Sequence, residues 1–282
     1  MTMRLTILGA SAAAQNPGGA CSSYLVRHEQ ARDDSSQNAA TATAMATTVV
    51  LDMGSGAFAN LQRHIVPDAV DAIVLSHVHA DHCLDLVPYR YALSFLAQQG
   101  QRAPRRPRLW LPPGGHERLL AIVHGQDPSP TFFQDVFEVA EYDPAQTLQV
   151  GGLHISFGAV NHAPHTYGMR VEDTAGPRAG NTASGATLAY SADTGPCPAL
   201  LDLARDADLF LCENANSEDS AYPLHLAPSQ AGAYARDAGA RRLTLTHRWH
   251  GYGFDEAVQA AGRAFNGPIS VAREGDTYDI GY

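Results

Sequence analysis

The chain has 282 residues, 45% of them hydrophobic and 17% charged, with a formal net charge of −10. That composition excludes a disordered or collagen-like chain, and the acidic balance argues against a protein that coats nucleic acid. All 19 basic residues are arginine, which excludes lysine Schiff-base chemistry and a P-loop lysine.

Met3 to Leu8 reads as a strand, followed by a Gly/Ala/Pro-rich loop. Ser22 to Arg27 and Thr47 to Asp52 read as two more strands, with a long mobile hairpin tip from His28 to Ala46 between them. Phe58 to His64 suits a short helix, and Asp71 to Leu75 a buried strand running directly into Ser-His-Val-His-Ala-Asp-His. Leu84 to Gln98 has helical apolar spacing. Gln101 to Arg108 is a basic loop holding Arg102, Arg105, Arg106 and Arg108. Leu109 to Leu111 is a short strand before a helix near Glu117 to His124. In the second half, Leu153 to Val160, Tyr167 to Val171, Thr187 to Ser191, Leu209 to Glu213 and Arg242 to Thr246 read as strands. Glu172 to Ala186 reads as another loop, and Pro198 to Arg205, Ser229 to Ala238 and Phe254 to Phe265 as helices. Ile269 to Ala272 and Thr277 to Ile280 close the chain as strands. The alternation predicts an α/β layered fold, and the lack of a linker predicts a single domain over residues 1–282.

Cys21, Cys83, Cys197 and Cys212 are too scattered for a C-x-x-C motif or a disulfide framework. No stretch approaches the roughly 18 apolar residues of a membrane span, and Met1 to Ala14 lacks the apolar core of a signal peptide. The expectation is a cytoplasmic protein with no membrane partner.

Chemistry concentrates in the segment from Ser76 to His82, where His77, His79, Asp81 and His82 follow an apolar strand. Imidazole and carboxylate are natural ligands for zinc and similar divalent ions. His77 and His79 lie two apart, so on extended backbone they point to one side. Asp81 and His82 fall where the chain turns into a helix and can face a second point. One short loop can thus serve two metals.

This H-x-H-x-D-H pattern resembles the metallo-β-lactamase superfamily of metallohydrolases. The resemblance runs from Leu5-Thr6-Ile7-Leu8-Gly9 to Thr246-His247 and implies a four-layer αβ/βα sandwich. It implies one metal held by His77, His79, His162 and Asp193, and a second held by Asp81, His82, Asp193 and His247. Asp193 would bridge them beside a hydroxide acting as nucleophile, and Asp81 would also orient that nucleophile. In its S-A-D-T-G turn, Asp193 could instead simply bond its own backbone. His165 and His250 are the alternatives to His162 and His247. His28, His64, His116, His124 and His154 have no ligand-like context. Zinc suits the His-rich set first, and Mn2+ or Fe2+ fits the same ligand types.

Two further stretches narrow the chemistry. Leu209 to Glu213 ends in a carboxylate, and His225-Leu226-Ala227-Pro228-Ser229 resembles a motif of ribonuclease Z and its phosphodiesterase relatives. There the histidine, held by the glutamate, protonates the leaving oxygen; His225 and Glu213 would take these roles. Phosphodiester hydrolysis expels a poor alkoxide leaving group, which a positioned acid assists by about 10²–10⁴-fold. The chain has no long projecting arm of the ribonuclease Z type, and its arginine cluster reads as a solvated loop. The implied function is a dinuclear-metal phosphodiesterase of the arm-less branch acting on small or cyclic phosphodiesters. The alternatives are a tRNA 3′-processing endonuclease acting on RNA, a sulfate-ester, lactone or thioester hydrolase on the same metals, and a non-catalytic scaffold. Tyr167, Arg170, Arg248 and Trp249 adjoin ligands and are candidate pocket liners. Relatives of this kind often form homodimers, and nothing in the residues demands one here.

Overall fold

The computed structural model describes residues 2–29, 46–99, 105–125, 127–173, 185–251 and 253–281. Strands β1 to β6 are Thr2–Gly9, Ser23–Glu29, Thr47–Leu51, Ala72–Val74, Arg108–Leu111 and Glu138–Glu141. Strands β7 to β14 are Leu148–Val150, Leu153–Val160, Thr166–Asp173, Thr187–Tyr190, Leu209–Glu213, Leu243–Thr246, Ile269–Val271 and Thr277–Ile280. Helices α1 to α7 are Ala57–Leu61, Ala80–Cys83, Leu86–Gln98, Gly115–Val123, Ala199–Ala204, Pro228–Asp237 and Phe254–Gly262.

The strands form two seven-stranded sheets, ordered β14-β1-β2-β3-β4-β5-β6 and β13-β12-β11-β10-β9-β8-β7. Each sheet starts antiparallel and becomes parallel: β3 to β6 run parallel in the first and β10 to β13 in the second. The sequence of β3, TTVVL, shows how the layers are specified. All five residues are buried, because both faces of the sheet are covered. With a period of two, Val49 and Leu51 face the other sheet and, with Leu5 and Ile7 of β1, pack into one cluster with its Val171, Leu188 and Leu211. Val50 points the other way, into a cluster with Ile73, Leu86, Tyr89, Leu93 and Leu119 under α3 and α4. On the far side, Phe210 and Leu245 pack against Leu200, Ala231, Ala235, Ala257 and Ala261 of α5, α6 and α7. Each fully buried Val or Leu contributes roughly 1.5–3 kcal/mol. The result is the four-layer αβ/βα sandwich that the sequence led us to expect. Among the described residues, no helix is long and apolar enough to cross a membrane.

Small residues let the layers close. A Cβ on Gly232 of α6 would collide with the backbone carbonyl of Ala261, so α6 and α7 meet backbone to backbone only because this residue is glycine. A Cβ on Gly54 would lie 2.0 Å from the carbonyl oxygen of Asp81, so the loop after β3 presses directly on α2.

The structure corrects some expectations. β6 and β7 were not foreseen, and the run expected as one helix from Leu84 is preceded by the separate short helix α2. His28 and Glu29 belong to β2 rather than to a loop. The remainder of that tip up to residue 45, residues 174–184 of the Glu172 to Ala186 loop, and Arg102 lie outside the described residues. His28 is fully buried, with Nε2 3.0 Å from Asp173 Oδ1 in β9 of the opposite sheet. It is therefore a cross-sheet core residue. The described arginines of the basic loop are tied down: Arg105 to Asp71, Arg106 to the carbonyls of Gln134 and Phe137, and Arg108 to Glu138.

Candidate metal centre

The candidate residues gather where parallel strands end, the usual place for a site in an open α/β sheet. β4 delivers Ser76 and His77, and His79 stands as the N-cap of α2, in whose first turn Asp81 and His82 follow. His162 follows β8, Asp193 follows β10, Glu213 ends β11, and His247 follows β12. Two backbone positions next to or at the candidate ligands of the second sheet are unusual. Ala192, before Asp193, has φ 52°, and His247 itself has φ 53°. Such left-handed non-glycine residues cost about 1–3 kcal/mol and persist where the surroundings hold them. Here they turn Asp193 and His247 out of their strand directions toward the other candidates.

Two groups of potential ligands result, sharing Asp193. The first is His77, His79, His162 and Asp193. His79 Nδ1 lies 3.0 Å from His77 Nε2 and 3.3 Å from His162 Nε2, and Asp193 Oδ2 is 3.9 Å from both of those Nε2 atoms. The second is Asp81, His82, Asp193 and His247. His82 Nε2 is 3.1 Å from Asp193 Oδ1 and 3.4 Å from Asp81 Oδ2, while His247 Nε2 is 3.2 Å from Asp81 Oδ2 and 3.3 Å from Asp193 Oδ2. Zinc–nitrogen bonds of 2.0–2.1 Å in a tetrahedron imply ligand–ligand edges of about 3.3 Å. These separations are of that size. Nε2 of His82 and Oδ1 of Asp193 are buried without a hydrogen-bond partner of good geometry. Buried polar atoms facing one point suit a divalent cation. His165 and His250 are exposed and belong to neither group.

The electrostatics fit the same use. Burial, with neighbouring imidazoles adding to it, pushes His77 well below its ordinary pKa, and burial takes His162 down to about 4. Both are neutral, as a ligand must be. Burial opposes a charge on His82, but the carboxylates of Asp193, Asp81 and Asp52 outweigh it and hold its pKa well above the ordinary value. Burial likewise works against ionised Asp81 and Asp193, yet His82 and His247 keep both far below the usual carboxylate range. The carboxylates thus favour a proton on His82, which a cation bound by this ring would replace, so binding is expected to release a proton.

Sequence reasoning missed the support beneath the ligands. The Asp52 carboxylate takes four hydrogen bonds: from Ser76 N at 2.7 Å and, at 2.8 Å each, from Ser76 Oγ, Tyr190 Oη and His82 Nδ1. This fixes which nitrogen of His82 faces the centre. Tyr190 packs against Tyr24 with ring centroids 4.9 Å apart and planes tilted by 60°, and the Tyr24 hydroxyl lies 2.8 Å from Thr246 Oγ1, so both sheets brace the floor. Nδ1 of His162 is likewise held by the Leu224 carbonyl at 3.2 Å, and the amide of Ala13 donates to Asp81 Oδ2 at 2.9 Å. Partners of this kind are worth about 10–100-fold in metal affinity. Asp52→Asn is therefore expected to weaken binding at the second group by about that factor. A competition titration against a chromophoric chelator reads it, and an unchanged affinity would show that Asp52 only supports the fold.

Beside the two groups stands the third pair. Nδ1 of His225 lies 2.7 Å from Oε1 of fully buried Glu213, which also accepts the amides of Thr194 and Ala215 at 2.9 Å. The His225 ring is 5.2 Å from that of His162 and 5.5 Å from that of His247. Partial burial works against its charge, but the hydrogen bond and charge of Glu213 prevail and raise its pKa above the ordinary 6.5. Among the expected liners, Arg170 turns away: it bonds Glu172 and the carbonyls of Leu203 and Arg205. Tyr167 packs against Tyr142, and Arg248 with Trp249 lines a separate cavity of about 430 Å³ behind His247.

The beta-lactamase superfamily domain matches residues 47–248. An uncharacterized protein of Mycobacterium leprae is 33% identical over 99% of this chain and 89% of its own length. A ribonuclease Z of Myxococcus xanthus is 26% identical over 82% of this chain and 88% of its own. The crystal structure of the metallo-beta-lactamase fold protein YhfI from Bacillus subtilis superposes with a TM-score of 0.80 at 23% identity, covering 99% of this chain and 100% of the other, which shows the fold.

Proposed function

The chain belongs to the β-lactamase superfamily as a metal-dependent hydrolase, and from that premise we propose that it is a dinuclear-metal phosphodiesterase acting on small or cyclic phosphodiesters, built as a single domain over residues 1–282. The observation that carries this reading is the Glu213–His225 pair at 2.7 Å, one ring away from both ligand groups. A thiolate leaves a thioester without a proton, whereas an alkoxide leaving phosphorus is assisted by a positioned acid. His77, His79, His162 and Asp193 would hold one divalent ion, and Asp81, His82, Asp193 and His247 the other, with zinc first by ligand type. Such ions, when bound, activate water and neutralise phosphoryl oxygens. The rest is done by side chains. Asp193 holds the two ligand groups together, and Asp81 orients the attacking water. His225, hydrogen-bonded through Nδ1 to Glu213, keeps a proton on Nε2 and gives it to the leaving oxygen.

Similarity to a ribonuclease Z brings RNA into view as a second substrate. The described arginine cluster disfavours it. Arg108 pairs with Ala72 at the start of β4, the end opposite the metal ligands, and its neighbours are already bound. The test is a panel on metal-replete protein: bis(p-nitrophenyl) phosphate, p-nitrophenyl sulfate, a thioester, a lactone and a 3′-extended transfer RNA. Preferred cleavage of the diester is expected. Preferred cleavage of the sulfate, thioester or lactone would overturn the reading, and preference for the RNA would favour the endonuclease.

A further inference from the structure

Tyr222 stands beside His225 and is 53% exposed, and the two ring centroids are 5.6 Å apart at an interplanar angle of 34°. The segment that carries it is not loose. Four consecutive carbonyls are engaged: Tyr222 O and His225 O by Asn216 Nδ2 at 2.7 and 2.8 Å, Pro223 O by Asn161 Nδ2 at 3.3 Å, and Leu224 O by His162 Nδ1 at 3.2 Å. The amide of Tyr222 donates to Ser220 Oγ at 3.2 Å. Two of these anchors, Asn161 and His162, sit at the end of β8, so the segment is fixed to the metal-ligand framework itself. The ring is thus held in position and left open beside the acid.

We propose that Tyr222 is a specificity-determining residue, an aromatic shelf on which a planar ring of the leaving group, such as a nucleobase, stacks while His225 protonates its ester oxygen. This rests on the phosphodiesterase reading. A stacked ring would carry the leaving oxygen to Nε2 of His225, the nitrogen not engaged by Glu213. Stacking reads the face of a ring and not its edge, so the shelf selects for an aromatic leaving group without choosing among bases.

The test compares wild type, Tyr222→Ala and Tyr222→Phe, all metal-replete, on two diesters: a dithymidine monophosphate, whose leaving group carries a base, and the methyl ester of thymidine monophosphate with methanol as leaving group. Tyr222→Ala is expected to lose about 10-fold in kcat/KM on the first, mainly through KM, and to be unchanged on the second. Tyr222→Phe should keep the wild-type preference. Equal effects on both diesters, or none, would overturn the shelf and leave the phosphodiesterase reading standing. In parallel, saturation-transfer NMR measures binding of thymidine and of methyl deoxyribose. If wild type cleaves neither diester, the phosphodiesterase reading fails. Base-dependent binding lost in Tyr222→Ala would then still support the aromatic shelf, and binding indifferent to the substitution would overturn it.

Discussion

Asp193→Ala is expected to empty both metal positions together and to lower turnover of a phosphodiester by at least about 10³-fold. Its two oxygens lie within 3.1–3.9 Å of ligand nitrogens from His77, His82, His162 and His247, so no other single residue serves both groups. Elemental analysis of purified protein should fall from close to two ions per chain to well under one. Part of the change will be stability, since removing one partner from a buried charged cluster costs roughly 3–5 kcal/mol. Asp193→Asn keeps the volume and separates the effects: it should fold with wild-type circular dichroism and still lose metal. Two retained ions with turnover within a few-fold of wild type would remove Asp193 from the centre.

The second large effect is expected at His225. His225→Ala should slow cleavage of an alkyl diester by about 10²–10⁴-fold, and cleavage of bis(p-nitrophenyl) phosphate far less, because p-nitrophenolate leaves without a proton. The pH dependence follows from the raised pKa of His225. The acid is protonated below that pKa, so activity toward alkyl diesters holds through pH 6.5 and declines as pH rises through the raised value. Without the Glu213 carboxylate the imidazole loses the interactions that lift it, and Glu213→Gln should move the alkaline limb to lower pH. Equal losses on both substrates, or a limb unmoved by Glu213→Gln, would assign the pair a positional role.

Much of this architecture is legible in the sequence because its signals are local. An apolar run such as Ala72 to Leu75 followed by H-x-H-x-D-H specifies a buried strand and what stands at its end within a dozen residues. The helices read well where apolar spacing is regular, as in Leu86–Gln98. β6, with sequence EVAE, is an edge strand with no fully buried residue, and it gave no apolar run to detect. Asp52 was read as no more than the end of a strand. Its importance comes from Ser76, His82 and Tyr190, which reach it from other elements. His28 has no ligand-like context in the sequence, and its full burial is not legible there because its partner, Asp173, comes from the other sheet. Tyr222 carries no sequence signal, since both its exposure and its place beside His225 arise from a loop anchored at Asn161, His162 and Asn216.

The central claim is a two-ion centre that hydrolyses phosphodiesters. Metal-depleted protein titrated with zinc, with bound metal and turnover of bis(p-nitrophenyl) phosphate followed in the same samples, tests it most directly. Saturation is expected at two ions per chain, with turnover reaching its maximum only as the second site fills, and neither is expected in His79→Ala. Saturation at two ions with no turnover, or full turnover with one, would contradict it.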